Sequence, residues 1–171
     1  MNRRHWLGVA VGVGAAAVGA AIAWRRQAAD EDPLWSLEFD QPDGGRLTMA
    51  GLRGRPLLLN FWATWCPPCV KEMPLLDAFH RQRQAAGWQV VGLAIDGPTP
   101  VREYLARLPI GFPIGLAGLG GTELSRRLGN AGGALPFTVV FDATGRPVAR
   151  KLGAVGESDL ADWGGRYAHP A

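Results

Sequence analysis

The chain has 171 residues, 47% of them hydrophobic and 19% charged, which suits one packed domain plus a tail. Two cysteines are too few for a disulfide-stapled scaffold, so apolar packing must hold the fold. The net charge of +3 misleads: without Arg3, Arg4, Arg25 and Arg26, 14 basic residues stand against 15 acidic ones. No basic face is implied, which argues against nucleic acid as a partner.

Those four arginines flank an apolar run. Trp6 to Trp24 is 19 residues without a charge. As a helix it would span about 28 Å, close to the hydrocarbon thickness of a bilayer. Tryptophan at each end suits the two interfaces, and Arg3 and Arg4 favour an N-terminus left in the cytoplasm. Small residues at Ala21-Ile22-Ala23 and Gln27-Ala28-Ala29 leave a cleaved export signal open. Arg3-Arg4-His5-Trp6-Leu7 loosely resembles a twin-arginine signal. Residues 1–26 therefore read as a membrane anchor or signal, 27–33 as a tether ending in Pro33, and 34–171 as the folded domain. An anchor with its N-terminus inside places that domain on the extracytoplasmic side of a bacterial membrane.

Trp35, Leu37 and Phe39 alternate with polar residues, the period of a half-buried strand. Asp43-Gly44-Gly45 is a turn, with Arg46-Leu47-Thr48 returning as its partner. Leu57 to Trp62 is nearly all apolar, as a strand covered on both faces would be. A helix follows the cysteines to about Ala86, interrupted by Pro74 and stopped by Gly87. Val90 to Ile95 is a second buried strand. Thr99 caps a helix carrying Val101, Leu105 and Leu108. Phe112 to Leu116 is a short strand and Thr122 to Leu128 a short helix. Phe137 to Phe141 and Pro147 to Leu152 form a hairpin around Asp142 to Gly145. Ser158 to Tyr167 closes as a helix. The order predicts an α/β fold, a central mixed sheet with helices on both faces.

The chemistry concentrates in Trp65-Cys66-Pro67-Pro68-Cys69, between a buried strand and a helix. Cys66 at the helix start meets unpaired N–H groups and the helix dipole, both of which favour a thiolate. It is the expected attacking sulfur. Cys69, one turn on and more buried, is expected to resolve the mixed disulfide. Pro67 and Pro68 suit first-turn positions, which need no N–H. Three other readings stay open. A structural disulfide over so short a loop would add little stability. Zinc would need four ligands, and the only histidines are His5, His80 and His169. Copper delivery would pair the two thiols with a distant histidine.

Asn60-Phe61-Trp62-Ala63-Thr64-Trp65-Cys66-Pro67-Pro68-Cys69, followed by Glu72-Met73-Pro74-Leu75-Leu76, resembles the TlpA/ResA-type family of membrane-anchored thioredoxin-like oxidoreductases. The likeness covers roughly residues 34–167, is tightest around the cysteines and is loose over 96–130. It implies a thioredoxin-like fold with an opening β-hairpin and a central αβ insertion. It also implies a redox-active Cys66–Cys69 disulfide with no other cofactor and no metal. Leu135-Pro136 is then a cis-proline facing the pair, where substrate backbone docks, with Trp65, Pro67 and Pro68 around it. Asn60 stands where thioredoxin has a buried aspartate, and Glu72 matches a family glutamate near the cysteines. Glu72 either assists proton transfer at Cys69 or is a solvated helix glutamate. The resemblance further implies client proteins with disulfides, in cytochrome c or copper-site maturation, and a membrane thiol-electron donor. A copper carrier for oxidase assembly and a disulfide-forming oxidant are the alternatives.

Overall fold

The computed structural model describes residues 33–167. The expected anchor and all of the tether but Pro33 lie outside them. Among the described residues no helix is long and apolar enough to cross a membrane.

Seven strands form one sheet: β1 (Glu38–Asp40), β2 (Arg46–Thr48), β3 (Leu57–Trp62), β4 (Gln89–Ala94), β5 (Ile114–Leu116), β6 (Phe137–Phe141) and β7 (Pro147–Leu152). Their spatial order is β2-β1-β5-β4-β3-β6-β7. β3, β4 and β5 run parallel, and every other pairing is antiparallel. Four helices connect them: α1 (Pro67–Arg83), α2 (Pro98–Arg107), α3 (Gly118–Arg127) and α4 (Glu157–Arg166). This is the expected thioredoxin-like architecture.

The apolar runs of β3 and β4 are buried at every position, as central parallel strands must be. Leu58 and Trp62 of β3 face one layer, packed with Met73 and Phe79 of α1, Tyr104 of α2 and Trp163 of α4. Leu57, Leu59 and Phe61 face the other, with Leu124 of α3 and the entering Leu34 and Trp35. Pairing puts β3 and β4 side by side from Leu57↔Gln89 to Trp62↔Ala94. Ala94 is level with Leu116, and Phe61 with Phe137. One end of the sheet therefore gathers the exits of β3, β4 and β5 and the entry of β6.

Several local expectations are corrected. Pro33–Ser36 is a 3-10 turn, not the start of a strand. The Trp35 indole donates to the Gly145 carbonyl at 3.1 Å and its ring packs edge-on against Phe141. That tertiary anchor overrides the alternating pattern. α1 ends at Arg83, and a 3-10 turn, Gln84–Ala86, carries the chain to Gly87, whose φ of 86° needs a glycine. Gly97, not Thr99, precedes α2, because Pro98 already occupies the first turn. α3 starts four residues before Thr122, inside a glycine-rich stretch that hid it.

Candidate functional site

Cys66 is the residue before α1. Its backbone is extended, its carbonyl accepts the first helical hydrogen bond from Val70, and Pro67 and Pro68 fill the first turn. Its own N–H closes a turn on the Ala63 carbonyl at 3.2 Å. Cys66 and Cys69 are joined by a disulfide, with Cα atoms 5.3 Å apart. The Cys69 N–H points at Cys66 Sγ at 3.4 Å. That donor would equally stabilise negative charge on Sγ once the bond is reduced. Cys69 is fully buried, while Cys66 keeps a sliver of exposure. Trp65 beside it is 67% exposed, and Pro67 and Pro68 are exposed too.

Register sets what lies opposite. Phe61 pairs with Phe137, so Pro136 is level with Trp62, four residues before Cys66. The Leu135–Pro136 peptide is cis, and the carbonyl of Pro136 itself, in the next peptide, accepts the Gly153 N–H at 2.9 Å and so joins this turn to the end of β7. Leu135 is half-buried and packs against the core layer that contains both cysteines.

Glu72 is 3% exposed, which rules out a solvated helix glutamate. Its Oε1 accepts from Asn60 Nδ2 at 2.8 Å and its Oε2 from the Val155 N–H at 2.7 Å. Asn60 Nδ2 also donates to the Thr138 hydroxyl at 3.0 Å. Burial pushes the Glu72 carboxyl above the ordinary glutamate range, opposed by the Val155 and Asn60 hydrogen bonds and by the Lys151 charge. A carboxyl one turn beyond Cys69 is thus buried and held between Asn60 of β3 and the loop that enters α4.

Asp96 also touches the site, through Thr64. Its Oδ2 accepts both the Thr64 N–H at 2.8 Å and the Thr64 hydroxyl at 2.5 Å. It sits past the end of β4 and pins the turn that presents Trp65 and Cys66. An acid after a strand reads as a turn residue, so only the contact 32 positions away reveals it. Thr138 and Val155 likewise carry no sequence signal. Among the described residues no three His, Cys, Asp or Glu side chains group as a metal site. His80 lies on α1 three turns past Cys69, and His5 and His169 fall outside the described residues.

A family model described as Redoxin matches residues 28–163. Over 113 residues the chain is 27% identical to the thiol-disulfide oxidoreductase ResA of Bacillus thuringiensis (strain Al Hakam), covering 65% of this chain and 62% of that protein. It thus spans less than two thirds of that relative's length. Over 147 residues it is 24% identical to ResA of Bacillus subtilis (strain 168), covering 84% and 79% of the two chains. A thioredoxin family thiol:disulfide interchange protein from Chlorobium tepidum TLS superposes with a TM-score of 0.69 at 26% identity, over 77% of this chain and 92% of that one. The shared fold, the cysteine pair at the start of α1 and these likenesses agree: the chain belongs to the Redoxin family, with the ResA/TlpA-like proteins of thioredoxin fold.

Proposed function

We propose that the chain is a thiol–disulfide oxidoreductase that reduces disulfides of client proteins outside the cytoplasmic membrane. One observation carries the reading: a Cys66–Cys69 disulfide at a helix start, with an N–H aimed at the sulfur of Cys66. In the reduced chain the Cys66 thiolate attacks a client disulfide. A Cys66–client bond forms, and the departing client sulfur takes a proton. The Cys69 thiolate then attacks Cys66 Sγ and expels the second client thiol. Two electrons and two protons pass to the client, and the internal disulfide is restored. Buried Glu72, one turn beyond Cys69 on α1, would take the Cys69 proton. Exposed Trp65, Pro67 and Pro68 and half-buried Leu135 would form the surface on which client backbone rests, with buried Pro136 lining its floor.

A dithiol donor in the membrane would return the chain to its reduced form. Residues 1–26 would anchor it there, or direct its export. The clients would be cysteines awaiting haem or copper. The relatives named ResA support the class of activity. The uncharged Trp6 to Trp24 run supports the compartment.

Trapping tests this. Cys69→Ser should accumulate a mixed disulfide through Cys66 with the client, identifiable by mass spectrometry. Absence of any adduct together with stoichiometric Cu(I) uptake would favour a copper carrier. A reduction potential near −270 mV fits a reductant, and one near −120 mV an oxidant.

A further inference from the structure

The loop from Leu128 to Pro136 carries the chain from the end of α3 to the start of β6. Ala131, Gly132 and Ala134 are exposed, as loop residues usually are. Asn130 is turned inward and is only 3% exposed. A buried amide needs hydrogen-bond partners, and its partners show what it holds.

Asn130 Nδ2 donates to the Ala134 carbonyl at 2.8 Å. The Asn130 carbonyl accepts the Gly133 N–H at 2.9 Å, and its own N–H donates to the Ser125 carbonyl at 2.9 Å. A longer contact runs from Nδ2 to the Ser125 hydroxyl oxygen at 3.4 Å. One residue thus closes the turn from 130 to 134 and ties it to the last turn of α3. The Ala134 carbonyl can only accept, so the NH2 group of the amide must face it. Oδ1 is then left buried without a hydrogen-bond partner. A stranded acceptor works against stability, so the bond to Ala134 asks for a further reason.

The two ends of the loop are held separately. The Leu128 carbonyl accepts from Arg150 Nε at 2.6 Å, and the Pro136 carbonyl accepts the Gly153 N–H at 2.9 Å. Between these points, among the described residues, only Asn130 sends a side-chain hydrogen bond to the loop backbone. Its target precedes Leu135, which packs against both core layers, one of them containing Cys66 and Cys69. Disulfide exchange needs the attacking, central and leaving sulfurs nearly in line. A shift of about 1 Å in a docked client is therefore costly.

Resting on the oxidoreductase reading, we propose that Asn130 is a positioning residue for exchange with protein clients. It fixes the Ala134–Leu135 peptide, and through it the client backbone, relative to Cys66. Asn130 acts through Ala134 and not on either sulfur. Its effect falls on clients large enough to lie on the loop, and a reagent that meets Cys66 alone bypasses it.

The test compares two disulfides on the reduced full chain. Insulin is the protein client; hydroxyethyl disulfide is too small to lie on the loop while its sulfur meets Cys66. Asn130→Ala should lower kcat/KM for insulin about tenfold and leave that for hydroxyethyl disulfide within about twofold. Asn130→Asp keeps the shape but, ionised, has no donor for Ala134, and should match Asn130→Ala. Ser125→Ala removes the 3.4 Å contact and leaves the Ala134 bond, so its ratio of the two substrates should stay within about twofold of wild type. The pH profile of Cys66 alkylation by iodoacetamide should be unchanged in all three variants. A ratio of two substrates on one protein is insensitive to the fraction folded. Equal losses on both substrates, no loss on either, or a wild-type ratio in Asn130→Asp would overturn the positioning role alone. So would a Ser125→Ala ratio as low as that of Asn130→Ala, or a shifted alkylation profile. Failure of the wild-type chain to reduce either disulfide would overturn the oxidoreductase reading and the positioning role with it.

Discussion

The Val155 backbone N–H donates to Glu72 Oε2 at 2.7 Å, joining residues 83 positions apart. It ties the second turn of α1 to the loop that enters α4. A buried carboxyl is therefore both a group beside the cysteines and a structural clasp.

The two roles separate by pH. Burial raises the folded-state Glu72 pKa above its unfolded value. Its contribution to stability is then full below the unfolded value and is lost as pH rises through the folded one. Glu72→Gln cannot ionise. Its urea midpoint should fall less than the wild-type midpoint between pH 5 and pH 8. Glu72→Leu should instead cost about 1–3 kcal/mol at every pH, because the Val155 N–H loses its acceptor. Parallel wild-type and Gln curves across that range would refute the assignment.

His80 should tilt stability on the acid side. Burial lowers its pKa, Asp77 opposes that and Arg81 adds to it. With the folded value below the unfolded one, the unfolded chain binds the proton more readily. Stability is thus lost as pH falls through the ordinary histidine range. His80→Gln should flatten that limb in denaturation measured from pH 7.5 to 5.5.

Gly92, in the middle of buried β4, leaves room for the side chains of Ile114 and Trp62. A Cβ there would lie 2.7 Å from Ile114 Cδ1 and 3.0 Å from Trp62 Nε1. The isoleucine tip can turn aside, but Trp62 is fully buried against the Tyr104 ring. Gly92→Ala should cost about 1–3 kcal/mol in urea denaturation, in the range of core overpacking. It should also shift the Trp62 indole resonance. An unchanged midpoint would mean that the layer has slack.

The sheet was legible because its strands announce themselves locally. Phe137–Phe141 and Pro147–Leu152 are bounded by a polar turn, and Leu57–Trp62 is too apolar to be anything but central. The disulfide pair was legible for the same reason, since both sulfurs and their helix start lie within four residues. What escaped depends on distant partners. Trp35 leaves its strand pattern for Gly145, 110 positions away. Glu72 is buried by Asn60 before it and Val155 far after it. The grip of Asp96 on Thr64 exists only because β3 and β4 are neighbours.

That grip yields the last prediction. One oxygen of Asp96 takes both Thr64 donors, and its Oδ1 is buried without a hydrogen-bond partner. A carboxylate hydrogen bond contributes about 1.5–3 kcal/mol, and the unpaired oxygen offsets part of the pair. Asp96→Ala should therefore destabilise the fold by about 2–3 kcal/mol and strip hydrogen-exchange protection from the Thr64 N–H. Asp96→Asn keeps an acceptor oxygen for both donors and should recover most of that protection. Thr64→Val removes only the hydroxyl and should fall between wild type and Asp96→Ala. The turn carrying Trp65 and Cys66 loosens in the same order, so exchange with glutathione disulfide should slow in that order as well. If Asp96→Ala left the Thr64 N–H protected, the turn would be held by the Cys66 to Ala63 bond alone, and Asp96 would have no part in presenting the attacking sulfur.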